Sequence, residues 1–319
     1  MKDSIFNLFG VTSPTADTKK IPTSALVPMG AHTDLAPDPN FVFQYRPLKR
    51  VLRNIGNGQP LWAWGPSGCG KTELFIQVAA RLQRPVKVIS FGEETSLREL
   101  SGTFHLIPDG LVTRTEYRPG TLAQAIATPL AVVVLDEFNM APPGVSAQLN
   151  RLIEAGELVV PETGEVITAA AGVTFVATAN TSGAHDETGI YAGSQLQNGA
   201  TRNRFAGLRM NYLPADLEQE IVTRAFPTVD QKLQMPAGVT FSKLAVDMAN
   251  GVRKMVEEGS IGLPFSVRTL KRFVGASLAY GDFREGFADA FFDLLTPQEA
   301  TAADQVFFKI FGVHVEGEA

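Results

Sequence analysis

A short segment combines glycines with one lysine and one threonine, a composition that suits phosphate binding. Residues 65–72 match the pattern G-x-x-x-x-G-K-[ST] in full; they are Gly65, Pro66, Ser67, Gly68, Cys69, Gly70, Lys71 and Thr72. Glycines let such a loop curl until its backbone N–H groups point at phosphate oxygens. Lys71 is expected to bridge the β- and γ-phosphates of ATP, and Thr72 to ligate Mg²⁺. The alternative for the whole segment is a glycine-rich turn with a solvated lysine. Cys69 is interpreted as a small residue that fills the turn, and the alternative for it is a redox-sensitive thiol.

Two adjacent acids follow an apolar run. Residues 131–135 read AVVVL, and Asp136 and Glu137 come next. Asp136 is expected to hold the Mg²⁺ shell, and Glu137 to polarise the attacking water as general base. The alternative is a pair of solvated acids at a strand end, which the phosphate-binding pattern earlier in the chain disfavours. A protein that only binds nucleotide has no need of Glu137, so this residue favours hydrolysis.

A second apolar run, 173–178, leads into Asn180. If this strand lies beside the acidic one, the Asn180 amide stands near the γ-phosphate and can orient the water together with Glu137. Asparagine after a strand is also a common turn former. The combination with the two preceding motifs favours the catalytic role.

The elements that must position these residues alternate between strands and helices. Strand candidates occupy 61–64, 86–91, 130–135, 173–178 and 208–213. Residues 74–82 and 145–153 carry apolar side chains at helical spacing between strands. This alternation predicts an α/β fold with a largely parallel five-stranded sheet. Helical candidates follow at 216–226, 242–258, 266–280, 283–295 and 302–311, with Ser242, Ser266 and Asp282 as N-cap candidates.

Composition and charge exclude several classes of protein. The 319 residues carry 28 Lys+Arg against 33 Asp+Glu, a net charge of -5, so no global nucleic-acid footprint is present. The single cysteine excludes an internal disulfide and a multi-cysteine zinc site. The longest apolar run, near 130–135, is too short for a membrane span, and the N-terminal residues do not resemble a secretory signal. We therefore expect a cytoplasmic protein with no membrane partner.

The loop, the acids and Asn180 together resemble an AAA+ ATPase. Residues 156–167 look like a hairpin before the Asn180 strand, and residues 109–120 look like an insertion before the acidic strand. Both are typical of the helix-2-insert branch, which includes MoxR-type ATPases, and 136–139 (DEFN) resembles the MoxR acidic signature. The resemblance implies a three-layer P-loop NTPase core with a five-stranded parallel sheet, plus a C-terminal α-helical lid.

Further segments are similar to the ATPase subunit of aerobic cobaltochelatase, the CobS-like family. They are 27–28, 35–39, 77–82, 177–181, 186–193 and 211–214. The division that follows is an extended N-terminal arm over 1–40, a nucleotide-binding core over 41–213 with the insert and the pre-sensor hairpin, and a helical lid over 214–319.

The resemblance alone assigns roles to two arginines. Arg204, in the sequence Asn-Arg-Phe, matches the position of the arginine finger that reaches the neighbouring subunit's γ-phosphate, with Arg202 as the second candidate. Arg268 matches the sensor-2 arginine of the lid. For each arginine the alternative is a surface ion pair of little energetic consequence.

The function that the resemblance implies is an ATP-hydrolysing ring motor, a homo-oligomer expected to be a hexamer, that remodels a partner protein. Its implied partner carries a von Willebrand A domain. Variants of this function are a metal-chelatase motor, a MoxR-type chaperone, and a phage-encoded relative with another client. A nucleic-acid motor is disfavoured because the 158–167 hairpin carries Glu162 and Glu165 and no Lys or Arg. A nucleotide-binding scaffold without turnover is disfavoured by Glu137.

Overall fold

Strands and helices alternate through the sheet-forming part of the chain, and helices alone follow. The computed structural model describes residues 8–11, 29–30, 33, 35–109, 112–183, 194–236 and 238–315. The strands are β1 (Leu61–Trp64), β2 (Val86–Ser90), β3 (Gly102–Asp109), β4 (Val112–Pro119), β5 (Val132–Asp136), β6 (Glu157–Val159), β7 (Val166–Thr168), β8 (Thr174–Ala179) and β9 (Ala206–Arg209). The helices are α1 (Tyr45–Gly56), α2 (Lys71–Arg81), α3 (Leu97–Ser101), α4 (Thr121–Ile126), α5 (Pro143–Ala155), α6 (Gly199–Arg202), α7 (Ala215–Ala225), α8 (Val229–Lys232), α9 (Phe241–Glu257), α10 (Val267–Tyr280), α11 (Phe283–Ala290) and α12 (Pro297–Phe311).

Five strands form one sheet in the order β2-β5-β8-β1-β9, and every neighbouring pair is parallel. The predicted five-stranded parallel sheet is confirmed. β5 and β8 are neighbours, as the argument for Asn180 requires. Because parallel strands point the same way, the carboxyl ends of β1, β5 and β8 lie at one edge of the sheet.

Helices cover both faces of the sheet. Along β5, Val132 and Val134 pack with α1 and α2, whereas Val133 and Leu135 pack with α4 and α5. This alternation follows from the two-residue period of a strand, and it explains why a strand covered on both faces reads as an unbroken apolar run. The predicted three-layer arrangement is therefore confirmed.

Helices α7 to α12 share a third hydrophobic cluster, separate from the two that cover the sheet. Its centre is a set of phenylalanine rings in contact, with Phe273 and Phe287 meeting at a centroid distance of 5.5 Å. The predicted helical C-terminal region is confirmed. Within the described ranges, none of the helices combines the length and the apolar character needed to cross a bilayer.

Three predicted boundaries are wrong. The strand predicted over 208–213 is β9, which ends at Arg209 because its one sheet neighbour, β1, ends at Trp64. The helix predicted over 302–311 begins at Pro297, where Thr296 and Glu299 form a capping box. The helix predicted over 283–295 ends at Ala290, and a 3-10 turn (Phe292–Leu294) follows. This break lets two consecutive residues, Phe291 and Phe292, both enter the third hydrophobic cluster.

One predicted cap is also wrong. The N-cap of α9 is Thr240, and Ser242 is fully buried inside the first turn. The Ser242 N–H and hydroxyl both donate to the carboxylate of Asp230, each at 2.8 Å. The predicted caps Ser266 and Asp282 are confirmed, since their side chains accept from the backbone N–H groups of Thr269 and Arg284.

The two predicted hairpins are present. β6 and β7 form the pre-sensor hairpin. The insertion predicted over 109–120 is a longer antiparallel ribbon, in which β3 pairs with β4 from Gly102 to Pro119. Pro108 and Pro119 are tolerated because both edges of a two-stranded ribbon are open.

Part of the predicted N-terminal arm and the segment 186–193 lie outside the described residues. Of the arm, Phe9 is buried, and its ring meets Phe43 edge-on at 5.1 Å. The Gly30 N–H donates to the Leu82 carbonyl at 2.9 Å. These described parts of the arm pack on the core.

Arg84 clamps the loops at the edge of the sheet opposite to the carboxyl ends. Its side chain is 1% exposed, and its guanidinium donates to the carbonyls of Leu130, at 2.7 Å, and Gly172. Burial lowers the pKa of Arg84 to about 10, so the group is still charged at neutral pH. These carbonyls lie in the loops that lead into β5 and β8.

Arg84→Ala is expected to lower the free energy of unfolding by about 2 to 5 kcal/mol, because two buried carbonyls lose their donor. Chemical denaturation measures this change. Arg50→Ala, on the exposed side of α1, is the matched control and should stay within about 0.5 kcal/mol of wild type. An Arg84→Ala protein as stable as the control would show that water replaces the guanidinium.

Candidate nucleotide-binding site

The loop 65–70 connects β1 to α2, and two of its glycines lie very close to other parts of the chain. A side chain at Gly65 would place its Cβ 2.0 Å from the Met210 carbonyl oxygen. Gly68 has a φ of 68°, and a Cβ there would lie 2.3 Å from Cβ of Ser266. Glycine is therefore required at both positions, which bring the loop against the end of β9 and against the start of α10.

Lys71 begins α2 and lies almost fully buried behind the loop. Its Nζ donates to the carbonyls of Gly65, at 2.9 Å, and Pro66, at 2.8 Å, and to Oδ1 of Asn180 at 3.0 Å. Burial lowers the pKa of Lys71, and the charges of Cys69, Asp136 and Glu137 oppose that change. The structure thus brings Lys71 and Asn180 together, although they come from different strand ends.

Asp136, at the end of β5, accepts two hydroxyl hydrogen bonds on the same oxygen. One comes from Thr72, at 2.6 Å, and the other from Thr178 on β8. Sequence reasoning missed Thr178. Its position two residues before Asn180 was the available signal, because residues two apart on a strand share a face.

Glu137 has an unusual backbone conformation. Its φ of 54° and ψ of 38° are left-handed, which costs a non-glycine residue on the order of 1 kcal/mol. Its N–H donates to Oγ1 of Thr178 at 3.2 Å. Thr178 thus contacts both acids, and the side chain of Glu137 is exposed beside a half-buried Asp136.

A cavity of about 620 Å³ collects these side chains. Residues 67–72 line it together with Asp136, Glu137 and Asn180, and α10 contributes Val267, Arg268 and Lys271. Ligand pockets of 300 to 1,000 Å³ hold small molecules of roughly nucleotide size. Lys271 was missed by sequence reasoning, although it lies one helical turn after Arg268 and so shares its face. Residues 38–47 supply a further wall that was also missed.

Arg204 and Arg202 lie outside this cavity. Arg204 pairs with Glu154 on α5, with its Nη2 2.7 Å from Oε2, and its Nη1 donates to the Ala200 carbonyl at 2.6 Å. Arg202 lies against Gly183. Neither arginine lines the cavity of its own chain, so a role at a γ-phosphate requires a second copy of the chain.

Three aromatic rings pack together beside Glu137 and Arg204. Phe138, which follows Glu137, and Phe205, which follows Arg204, have ring centroids 6.0 Å apart. Trp62 of β1 meets Phe138 at 5.6 Å and Phe205 at 5.5 Å. Trp62 and Phe138 are buried and Phe205 is half-buried, so the backbone beside Glu137 and the backbone beside Arg204 pack on the same core.

A phosphate-type loop between a strand and a helix, with an acid at the end of a neighbouring parallel strand, defines a P-loop nucleotide-binding protein. Residues 63–205 match the family model described as the AAA domain of the dynein-related subfamily, so this part of the chain is an AAA domain. The resemblance to AAA+ ATPases set out from the sequence is confirmed.

Curated relatives extend the similarity beyond this domain. The chain is 28% identical over 284 residues to the aerobic cobaltochelatase subunit CobS of Sinorhizobium sp, covering 88% of this chain and 83% of that protein. It is 29% identical over 226 residues to the putative chaperone BssE of Thauera aromatica, covering 70% of this chain and 71% of that protein. Among solved structures, a RuvB mutant of Thermotoga maritima has a TM-score of 0.48 at 16% identity, covering 89% of this chain and 76% of that one.

Proposed function

We propose that this chain is the ATP-hydrolysing subunit of a homo-oligomeric ring that remodels a partner protein. The observation that carries the proposal is the convergence of Lys71, Asp136 and Glu137 from the core with Arg268 from the lid on one cavity. The core is assigned to residues 41–213 and the lid to 214–319. Nucleotide bound between the two parts would hold them together, and hydrolysis would release them.

The side chains present fit a magnesium nucleotide. The hydroxyl of Thr72 and the carboxylate of Asp136 are hard oxygen donors 2.6 Å apart. Mg²⁺ prefers oxygen ligands and keeps one or two protein carboxylates beside phosphate and water. In this proposal Thr72 and Asp136 would hold the ion, which when bound would neutralise charge that develops on the phosphates.

The remaining residues divide the chemistry of hydrolysis. The loop N–H groups and Lys71 bind the phosphates, and Glu137 accepts a proton from the attacking water. Asn180, held by Lys71 through its Oδ1, presents its amide N–H₂ to orient that water. Arg268 enters the cavity from the lid, and Arg204 of a neighbouring copy completes the charge stabilisation.

The similarity to CobS over most of both chains supports a metal-chelatase motor as the specific role. A partner with a von Willebrand A domain, implied by the same resemblance, would then connect the ring to its client. The similarity to BssE supports a second candidate, a chaperone with a different client. Both roles use the same nucleotide site, and a phage-encoded relative would share it as well.

The test measures ATP hydrolysis over a range of protein concentrations. Specific activity is expected to rise with concentration, because each site needs an arginine from a neighbouring copy.

Lys71→Ala should lower ATP affinity by roughly a hundredfold or more, since charged hydrogen bonds to phosphate are lost. Lys243→Ala, on an exposed lid position, is the matched control. Flat specific activity would contradict the ring, and unchanged affinity in Lys71→Ala would contradict the site.

A further inference from the structure

Arg253 is a buried guanidinium that does not line the nucleotide cavity. It lies on α9 with 7% of its surface exposed. Its Nε donates to the Phe265 carbonyl at 2.9 Å, and its Nη1 donates to Oε2 of Glu218 at 2.7 Å and to Oδ1 of Asn250 at 3.0 Å. The residue therefore joins α7, α9 and the segment that leads into α10.

The ion pair of Arg253 with Glu218 is incompletely satisfied. Glu218 is fully buried, and burial raises its pKa against the opposing effects of Arg253 and of a hydrogen bond from the Leu213 backbone N–H. Nη2 of Arg253 has no hydrogen-bond partner. Replacing such a pair with apolar residues of similar volume is often neutral or stabilising. Stability alone does not account for this pair.

One contact of Arg253 reaches the phosphate-binding loop. Its guanidinium carbon lies 3.9 Å from the centroid of the Tyr212 ring, and the Tyr212 hydroxyl donates to the Ser67 carbonyl at 3.0 Å. Tyr212 lies between β9 and α7, where the chain passes from the sheet to the lid. The attraction between a guanidinium and the face of an aromatic ring favours this arrangement.

Another contact reaches the helix that carries the lid cations. Phe265, whose carbonyl Arg253 binds, directly precedes Ser266, the N-cap of α10. Ser266 lies against Gly68 of the loop, and Arg268 and Lys271 follow in the first turns of α10. Arg253 thus contacts both Tyr212, which binds the loop, and Phe265, which precedes the helix that carries Arg268 and Lys271.

We propose that Arg253 is a positioning residue that couples the phosphate-binding loop to the lid. Through Tyr212 it holds the loop, and through Phe265 it holds the start of α10, so that Arg268 and Lys271 face bound phosphates. The inference rests on the proposed nucleotide site. It assigns to Arg253 and Tyr212 control of nucleotide affinity, without contact to the nucleotide.

The experiment compares ATP dissociation constants measured by equilibrium binding, which does not depend on hydrolysis. Tyr212→Phe keeps the ring under Arg253 and removes one hydrogen bond, so affinity should fall about two- to tenfold. Glu218→Met with Arg253→Met replaces the ion pair by apolar side chains, so the protein should remain folded. Its affinity should fall about tenfold or more, because a cation–π contact and a hydrogen bond to Phe265 are lost.

Controls separate a positioning role from a structural one. Lys243→Gln with Asp247→Asn removes an exposed ion pair from the same helix and should bind ATP like wild type. Thermal unfolding should show that the double-Met protein is folded at the temperature of the binding assay. A folded double-Met protein with wild-type affinity would overturn the coupling and leave the nucleotide site intact. Failure of the wild type itself to bind ATP would overturn the proposed function.

Discussion

Arg204→Ala is expected to lower the rate of ATP hydrolysis by about 10³ to 10⁵ and to leave ATP affinity near wild type. The reason is the proposed role as arginine finger, since Arg204 does not line the cavity of its own chain and would act at a neighbour's site. Its pairing with Glu154, whose side chain is 65% exposed, contributes little to stability. Steady-state kinetics together with a binding isotherm measure both quantities.

Mixing variants provides the decisive control for the arginine finger. Subunits with Arg204→Ala and subunits with Glu137→Gln are each expected to be inactive alone. In mixed rings, Arg204 from a Glu137→Gln subunit can complete the site of its Arg204→Ala neighbour, so activity should return in part. Arg202→Ala, two residues before Arg204, is the matched variant and should retain most activity. If Arg202→Ala stops hydrolysis and Arg204→Ala does not, Arg202 is the finger.

Glu137→Gln is expected to lower kcat by about 10² to 10⁴ and to preserve ATP binding. An amide has nearly the same shape as the carboxylate but cannot accept the proton of the attacking water. The fold should be unaffected, because the hydrogen bond to Thr178 uses the backbone N–H of Glu137. Rapid-quench kinetics distinguish slow chemistry from slow product release.

Glu257→Gln serves as the control for this substitution, since Glu257 is an exposed acid on α9 outside the cavity. It should hydrolyse ATP at the wild-type rate. A Glu137→Gln protein that turns over normally would assign the general base to another group. ATP bound without turnover should also stabilise the ring, which size-exclusion chromatography can measure.

The sequence predicted the parts of the site that depend on local pattern. The loop at 65–72, the acids after β5 and Asn180 after β8 each follow a strand whose apolar run is legible, and the parallel sheet brings such ends together. Thr178 was missed because its hydroxyl matters only once β5 and β8 are in register. Lys271 was missed because its part in the cavity becomes visible only once α10 is placed beside the loop.

Other features depended on tertiary contacts that no local pattern carries. Arg253 lies on the buried face of α9, and its partners Tyr212, Glu218 and Phe265 come from separate segments. The end of β9 was predicted too late because it is set by the end of β1, far away in the chain. The start of α12 at Pro297, by contrast, was legible from the sequence Thr-Pro-Gln-Glu, since it carries a capping box.

The phosphate-binding loop contains the chain's sole cysteine, and this gives the protein a built-in chemical reporter. Cys69 is 7% exposed, and burial raises the pKa of its thiol against the opposing charges of Lys71 and Arg253. The thiolate is the nucleophile that attacks thiol-specific reagents, so the closed loop reacts slowly and each opening of the loop accelerates labelling. The rate at which Cys69 is labelled in the unaltered protein therefore measures the opening of this loop, because the printed sequence contains no other thiol that could react.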